Sequence, residues 1–295
     1  MPTPRQQICH FYSQNTRCAA TLYWPEQAAT PAESTPAILM AHGWGGIQGL
    51  LIEDFIHQFV AAGLVVMTFD YIGWGESEGS HRHAINPWNR VATVEDALAF
   101  LQQKNGIDKR KILLWGTSFG GGHAIDVAAK HPDLLGVIAH VPMLDGRKAV
   151  SAVPLTRMAR FSLDIARDLM PFSERYLPIA SAAGEYSTMD RDGAERAVEW
   201  ATTNFGHYEN KVAARSMLTM GFYRPIKRLP RITIPTLLIG ATHDSVAPFD
   251  QKSIQSKAGP HVQIRTLDAN HFDPYLPPYF EQNIQYQLEF IRGLI

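Results

Sequence analysis

The chain is 295 residues long and carries 27 basic against 28 acidic side chains, a formal net charge of −1. That balance offers no field to draw it to nucleic acid or to an anionic membrane, so a small neutral or mixed molecule is the expected partner. Apolar residues at 45% and charged residues at 19% exclude a disordered chain and leave ample material for one large core with an insertion.

The two cysteines, Cys9 and Cys18, are too few for a zinc site or a disulfide framework, and a reduced pair is expected. No metal and no cofactor are called for. Met1–Gln7 lacks the apolar centre of a secretion signal, and no run approaches the roughly 18 apolar residues of a membrane span. A cytoplasmic protein is expected; the oligomeric state stays open, with a homodimer among the options.

In chain order, Gln7–Ser13 and Cys18–Trp24 read as strands of a hairpin joined by the polar Gln14–Arg17, covering one sheet edge. Gln27–Pro36, rich in Ala, Pro, Ser and Thr, reads as a surface loop. Ala37–Ala41 is the first core strand and runs into His42-Gly43-Trp44-Gly45-Gly46. A glycine-rich turn at a strand's C-terminal end lets backbone N–H groups approach a ligand, which makes the Trp44 N–H a candidate donor to a developing oxyanion. A plain tight turn is the alternative. His42 is expected to fix this loop rather than act as a base.

Ile47–Ala62 has helical spacing and a stop at Gly63. Leu64–Asp70 is a buried strand followed by Tyr71-Ile72-Gly73-Trp74-Gly75-Glu76-Ser77, and Pro87–Gln103 is a long helix. Next come the apolar run Lys111–Trp115, the pentapeptide Gly116-Thr117-Ser118-Phe119-Gly120, and a helix over Gly121–Lys130. Strand, tight turn and helix place Ser118 at a corner, where glycines two residues to either side let the backbone pass without a clash at Cβ. The hydroxyl then stands above the sheet with the Phe119 N–H, a second oxyanion donor, beside it. A serine that merely caps the helix is the plainer alternative.

Leu135–Val141 supplies another strand, after which the rhythm changes. Pro142–Ile232 contains no convincing buried strand, and a stretch of that length reads as a small helical insertion, with Glu195–Trp200 and Lys211–Met220 its better helices. Its aromatics, among them Tyr176, Trp200, Tyr208 and Phe222, are candidates to line an apolar pocket, although most of the set serves a local core. The alternation returns with strand Ile234–Gly240, which leads to Asp244, and helix Phe249–Lys257. Strand His261–Leu267 leads to His271, and Pro278–Gly293 closes the chain as a helix. The pattern predicts a doubly wound, mostly parallel α/β core from residues 1–141 and 233–295, with 142–232 as a helical cap.

A serine hydroxyl needs an imidazole to take its proton, and the imidazole needs a carboxylate to fix its tautomer. Asp244 and His271 stand just past the two strands that follow the insertion, and the order Ser118, Asp244, His271 is the one expected for this sheet architecture. The rivals are Asp145 for the acid and His123, His140 and His243 for the base.

These residues resemble the α/β-hydrolase superfamily. The likeness runs through His42-Gly43-Trp44-Gly45, Asp70 to Ser77, the serine turn, His243-Asp244 and Asn270-His271, which is nearly all of the chain outside Pro142–Ile232. Within it the chain is similar to dienelactone-hydrolase-like and X-Pro-peptidase-like serine hydrolases. The resemblance implies an eight-stranded sheet and cleavage of an ester, thioester or amide through an acyl-enzyme on Ser118. Dehalogenases and epoxide hydrolases carry aspartate where Ser118 stands and dienelactone hydrolase carries cysteine, so those chemistries are disfavoured. An acyltransferase with the same triad, or a non-catalytic binding protein on this scaffold, remains the alternative.

Overall fold

The computed structural model describes residues 4–26, 34–151, 153–206 and 208–295, so most of the loop expected over 27–36 lies outside the described residues. β1 (Arg5–Ser13) and β2 (Thr16–Trp24) form the expected hairpin, with Gln14 and Asn15 both at positive φ in the turn. That two-residue geometry matches the right-handed twist of the flanking strands. Cys9 and Cys18 are both free thiols.

β3 (Thr35–Ala41) follows, then α1 (Glu53–Ala61), which starts six residues later than the periodicity predicts. Residues 47–52 form turns because Gly49 and Leu51 take positive φ, while Asp70 Oδ1 accepts the Gln48 N–H at 2.7 Å. β4 (Val65–Phe69), α2 (Pro87–Gln102), β5 (Ile107–Thr117), α3 (Phe119–Ala128) and β6 (Gly136–His140) continue the alternation. Beyond β6 lie α4 (Gly146–Ser151), α5 (Leu155–Asp168), β7 (Tyr176–Leu177), α6 (Ala194–Asn204), β8 (Val212–Ala213) and α7 (Met217–Met220). β9 (Thr236–Ala241), α8 (Gln251–Gln255), β10 (Val262–Leu267) and α9 (Tyr279–Arg292) complete the chain.

One difference from the sequence reading lies between β6 and β9. β7 and β8 pair antiparallel there, so this stretch is not purely helical. The helix expected over 211–220 is reduced to a 3-10 turn and the short α7, because Val212 and Ala213 are committed to β8 and the Ala213 N–H donates to the His83 carbonyl.

The sheet has eight strands in the order β1-β2-β4-β3-β5-β6-β9-β10, antiparallel at β1–β2 and β2–β4 and parallel from β4 to β10. Its central strands alternate faces in register. Leu39, Leu114 and Leu238 point into one apolar layer, while Ile38, Leu113 and Ile239 point into the other. Helices cover both layers, which is why these strands read as unbroken apolar runs. The chain passes from β3 to β4 on one side and returns to β5 on the other. That reversal opens a crevice at the C-terminal ends of β3 and β5, where ligands bind in open α/β sheets.

Candidate active site

Ser118 stands at this crevice, between the last residue of β5 and the first of α3, with φ +53° and ψ −120°. A left-handed φ at a non-glycine residue is strained, and the neighbours enforce it. A Cβ at Gly116 would collide with the Gly120 carbonyl, and one at Gly120 with the carbonyls of Ala41 and His42, so strand and helix approach as only glycine allows. The Ser118 N–H donates to the His140 carbonyl at 2.9 Å and the Ser118 carbonyl accepts from the Met143 N–H at 2.8 Å, which fixes the corner from two sides.

The structure brings together the three side chains the sequence singled out. His271 Nε2 lies 3.0 Å from Ser118 Oγ, and His271 Nδ1 lies 2.6 Å from Asp244 Oδ2. The other Asp244 oxygen accepts the N–H groups of Val246 and Ala247 at 2.9 and 2.6 Å, which holds the carboxylate in place. All three residues are buried. His271 is itself clamped by a reciprocal loop. Asn270 Oδ1 accepts from the Phe272 and Asp273 N–H groups, and Asp273 Oδ2 accepts from the Asn270 N–H. A carboxylate on Nδ1–H leaves Nε2 free to accept, so the pair can take a proton from the serine.

Trp44 and Phe119 flank the hydroxyl from two loops. Their rings meet edge to face at 5.3 Å, and Trp44 Nε1 donates to Thr188 Oγ1 at 3.0 Å. Among the described residues neither backbone N–H donates to a protein acceptor. A Cβ at Gly43 would lie 3.0 Å from Ser118 Cβ, so the turn after β3 packs directly on the serine.

The rivals have other partners. Asp145 makes a bidentate pair with Arg224 at 2.9 and 2.7 Å; burial works to raise its carboxyl, but those bonds prevail and hold it below its ordinary value. His243 pairs with Asp268 on the exposed surface. His140 accepts from Asn283 Nδ2 and donates to Thr117 Oγ1, both at 2.9 Å, beneath the serine; burial, with His271 nearby, pushes it down to about 3 and keeps it neutral. His123 lies 3.2 Å from the Tyr71 hydroxyl, and burial lowers it strongly. His42 is pushed down to about 3 by burial and by Arg90, and its Nδ1 lies 3.4 Å from the Gly43 carbonyl, in keeping with its expected place in the loop.

Two cavities meet at Ser118. The first is lined by Met143, Val150, Val153, Phe161, Met217 and Met220, with Arg157, Asp190 and Arg191 on one wall. Asp190 is ion-paired to both arginines. The second lies on the His271 side and is lined by Leu50, Ile179, Val198, Tyr208 and Phe272.

Of Tyr176, Trp200, Tyr208 and Phe222, Tyr208 alone lines a cavity at the serine, while Phe161 of the same stretch lines the first cavity. Tyr176 packs beside His83 and donates to Glu174, Trp200 packs on Phe205, and Phe222 is 77% exposed. The rest of the first cavity's apolar lining, beside Trp44 and Phe119, is aliphatic or methionine. Met217 and Met220, three apart on one helical turn, were the available signal. Among the described residues no group of three His, Cys, Asp or Glu side chains could hold a metal ion.

Comparison with known proteins gives the chain its relatives. A family model described as serine aminopeptidase, S33, matches residues 31–269. The quorum-quenching protein AidA of Acinetobacter baumannii (strain MDR-ZJ06) is 30% identical over 289 residues, covering 97% of this chain and 94% of that protein. Thiohydrolase aneE of Aspergillus aculeatus is 34% identical over 275 residues, covering 88% and 86% respectively. The crystal structure of the alpha/beta hydrolase GrgF from Penicillium sp. sh18 superposes with a TM-score of 0.79 at 20% identity, covering 98% of this chain and 99% of that one.

Proposed function

Because the chain belongs to the serine aminopeptidase S33 family of α/β-hydrolases, we propose that it is a serine hydrolase that cleaves an ester or thioester of a largely apolar acyl group. The observation that carries this reading is the unbroken contact chain from Ser118 Oγ through His271 to Asp244, at 3.0 and 2.6 Å. Ser118 Oγ attacks the acyl carbonyl as His271 Nε2 takes its proton. Asp244 holds the Nδ1–H and stabilises the imidazolium. The N–H groups of Trp44 and Phe119 receive the oxyanion. His271 then returns the proton to the departing alcohol or thiol, an acyl-Ser118 ester remains, and water activated by His271 releases the acid.

The two cavities divide the substrate. A leaving group protonated by His271 must sit on the His271 side, so the second cavity takes it, and the methionine-lined cavity takes the acyl chain. In this assignment residues 142–232 act as a cap over the crevice. A thiohydrolase among the relatives supports a thioester substrate, with a thiol as the leaving group. Peptides with a free N-terminus fit poorly, since among the described residues the acid on the lining, Asp190, is already held by Arg157 and Arg191.

The test is turnover of p-nitrophenyl esters and acyl thioesters of increasing chain length, with products analysed in the presence of a competing alcohol. Free acid as the main product supports the hydrolase. Acyl transfer that outruns hydrolysis makes the protein an acyltransferase. Equal turnover by Ser118→Ala removes the reading altogether.

A further inference from the structure

Arg90 is 3% exposed and sits in the first turn of α2, behind the loop that carries Trp44. Three features make this position unfavourable for a cation. It is removed from water, it stands at the positive end of its own helix, and among the described residues it has no carboxylate partner. What it has is the face of Tyr71 at 4.3 Å and of Trp74 at 5.2 Å, and one hydrogen bond, Nη1 to the Gly43 carbonyl at 3.0 Å. Its Nε and Nη2 are buried without a partner. The other titratable groups around it are His42, His123 and Tyr71, each kept neutral by burial: the two histidines are lowered and the tyrosine is raised. Among the described residues the buried carboxylates nearby are engaged elsewhere, Asp70 by Gln48 and the Glu76 N–H and Asp126 by Arg228, and none pairs with Arg90.

The target of that single bond matters more than its strength. The Gly43 carbonyl and the Trp44 N–H are the two ends of one peptide group, and resonance couples them. A cation on the oxygen draws electron density away from the nitrogen, making the N–H a stronger donor, and fixes the plane in which it points. The Gly46 N–H at 3.3 Å reaches the same carbonyl but brings no full charge.

Building on the assignment of Ser118 and the Trp44 N–H above, we propose that Arg90 is a positioning residue that aims and polarises the Gly43–Trp44 peptide, so that a buried cation out of reach of the substrate stabilises the oxyanion through one backbone group. Its contribution is confined to states with negative charge on the former carbonyl oxygen. Loss of Arg90 is therefore expected to lower kcat by about ten- to a hundredfold with KM nearly unchanged, less than the loss of a direct donor.

The decisive readout is the oxyanion itself. An aryl trifluoromethyl ketone, labelled with ¹³C at the carbonyl, adds Ser118 Oγ to form a hemiketal whose hydroxyl titrates. The proton lost from Ser118 passes to His271, and the ¹³C shift followed against pH gives the pKa of the hemiketal oxygen. Arg90→Gln retains a donor for the Gly43 carbonyl without the charge, and Arg90→Lys retains the charge without the planar fork. The expected order of hemiketal pKa is wild type lowest, Arg90→Lys next and Arg90→Gln highest, with about one unit or more between the extremes. An adduct whose pKa is the same in wild type and Arg90→Gln overturns the inference while leaving Ser118 as the nucleophile. If Arg90→Gln does not fold, Arg90→Lys decides: a raised value supports the inference and an unchanged one overturns it. No adduct in the wild type overturns the reading it rests on, and the inference with it.

Discussion

The crevice at the sheet ends and the stretch laid over it between β6 and β9 are built on opposite plans. At the crevice the three proposed reacting residues are held by short-range bonds that end on backbone N–H groups or by the main chain itself. Asp244 is gripped by two N–H groups, His271 sits in a reciprocal Asn270–Asp273 loop, and Ser118 is locked into a strained φ by crossing main chains. The overlying stretch is held by side chains, chiefly buried carboxylates gripped by arginines. α5 shows this most plainly. It turns Asp164 and Asp168 inward to Arg175 and Arg215, while Leu155, Leu163 and Leu169 are 83%, 62% and 57% exposed. Backbone-held geometry resists substitution of its neighbours, whereas ion-pair-held geometry depends on single residues and on pH. Under the proposed function, chemistry falls to the first region and selectivity to the second.

The sharpest break should come at the crevice. Asp244→Asn and His271→Ala are each expected to reduce kcat by about 10⁴-fold or more without a change in melting temperature, because the backbone clamps persist. Ester turnover and a thermal melt measured together check this; a large drop in melting temperature would mean that the triad also holds the fold.

In the overlying stretch the largest effect should be on stability. Arg215→Met leaves Asp168 buried without its main partner, at a cost of about 3 kcal/mol. Hydrogen exchange should then rise in α5 and β8 while β3, β5 and β6 stay protected. Uniform loss of protection would show that the two regions unfold as one. Val153→Trp should fill the first cavity and lower kcat/KM for long acyl chains about tenfold, roughly 1.4 kcal/mol, with short chains spared.

The pH effect is the mildest. Burial raises the Asp168 carboxyl, but the bonds from Arg215 and from the Arg175 N–H outweigh it, so its folded value lies below the ordinary 3.8. A lowered carboxylate contributes stability that is complete above the unfolded value and is lost as pH falls through the folded one. Asp164 is lowered in the same way, with Tyr186 and Arg175 overcoming burial. Acidification below about pH 4 should therefore loosen α5 ahead of the sheet. Exchange protection followed down the pH scale tests the order, and earlier loss in β5 would reverse it.

How much of this could be read from sequence follows the same division. The sheet strands were legible because apolar runs bounded by glycine turns are local signals, and the serine corner because steric crowding restricts Gly116 and Gly120 to one residue type. Asp244 and His271 were legible from their places just past two strands. The pocket was not. Its lining comes from Val150, Met217 and Met220 on short helices, and from Val153 between two of them, in a stretch whose packing depends on buried ion pairs such as Asp168–Arg215, 47 residues apart in the chain. Aromatic content drew attention to Trp200 and Phe222, yet bulk alone does not say which way a side chain faces. α1 began late because Asp70 captured the Gln48 N–H, a tertiary contact outside any local pattern. The superfamily likeness was carried by the residues of the shared chemistry, Ser118, Asp244, His271 and the glycine turns, and those do not separate one branch from another.

The most direct test is to treat the protein with a fluorophosphonate and locate the adduct by peptide mass spectrometry. A single phosphonylated residue at Ser118, formed slowly or not at all in His271→Ala, is the predicted result. Labelling at another residue, or ester turnover that survives complete labelling of Ser118, would contradict it.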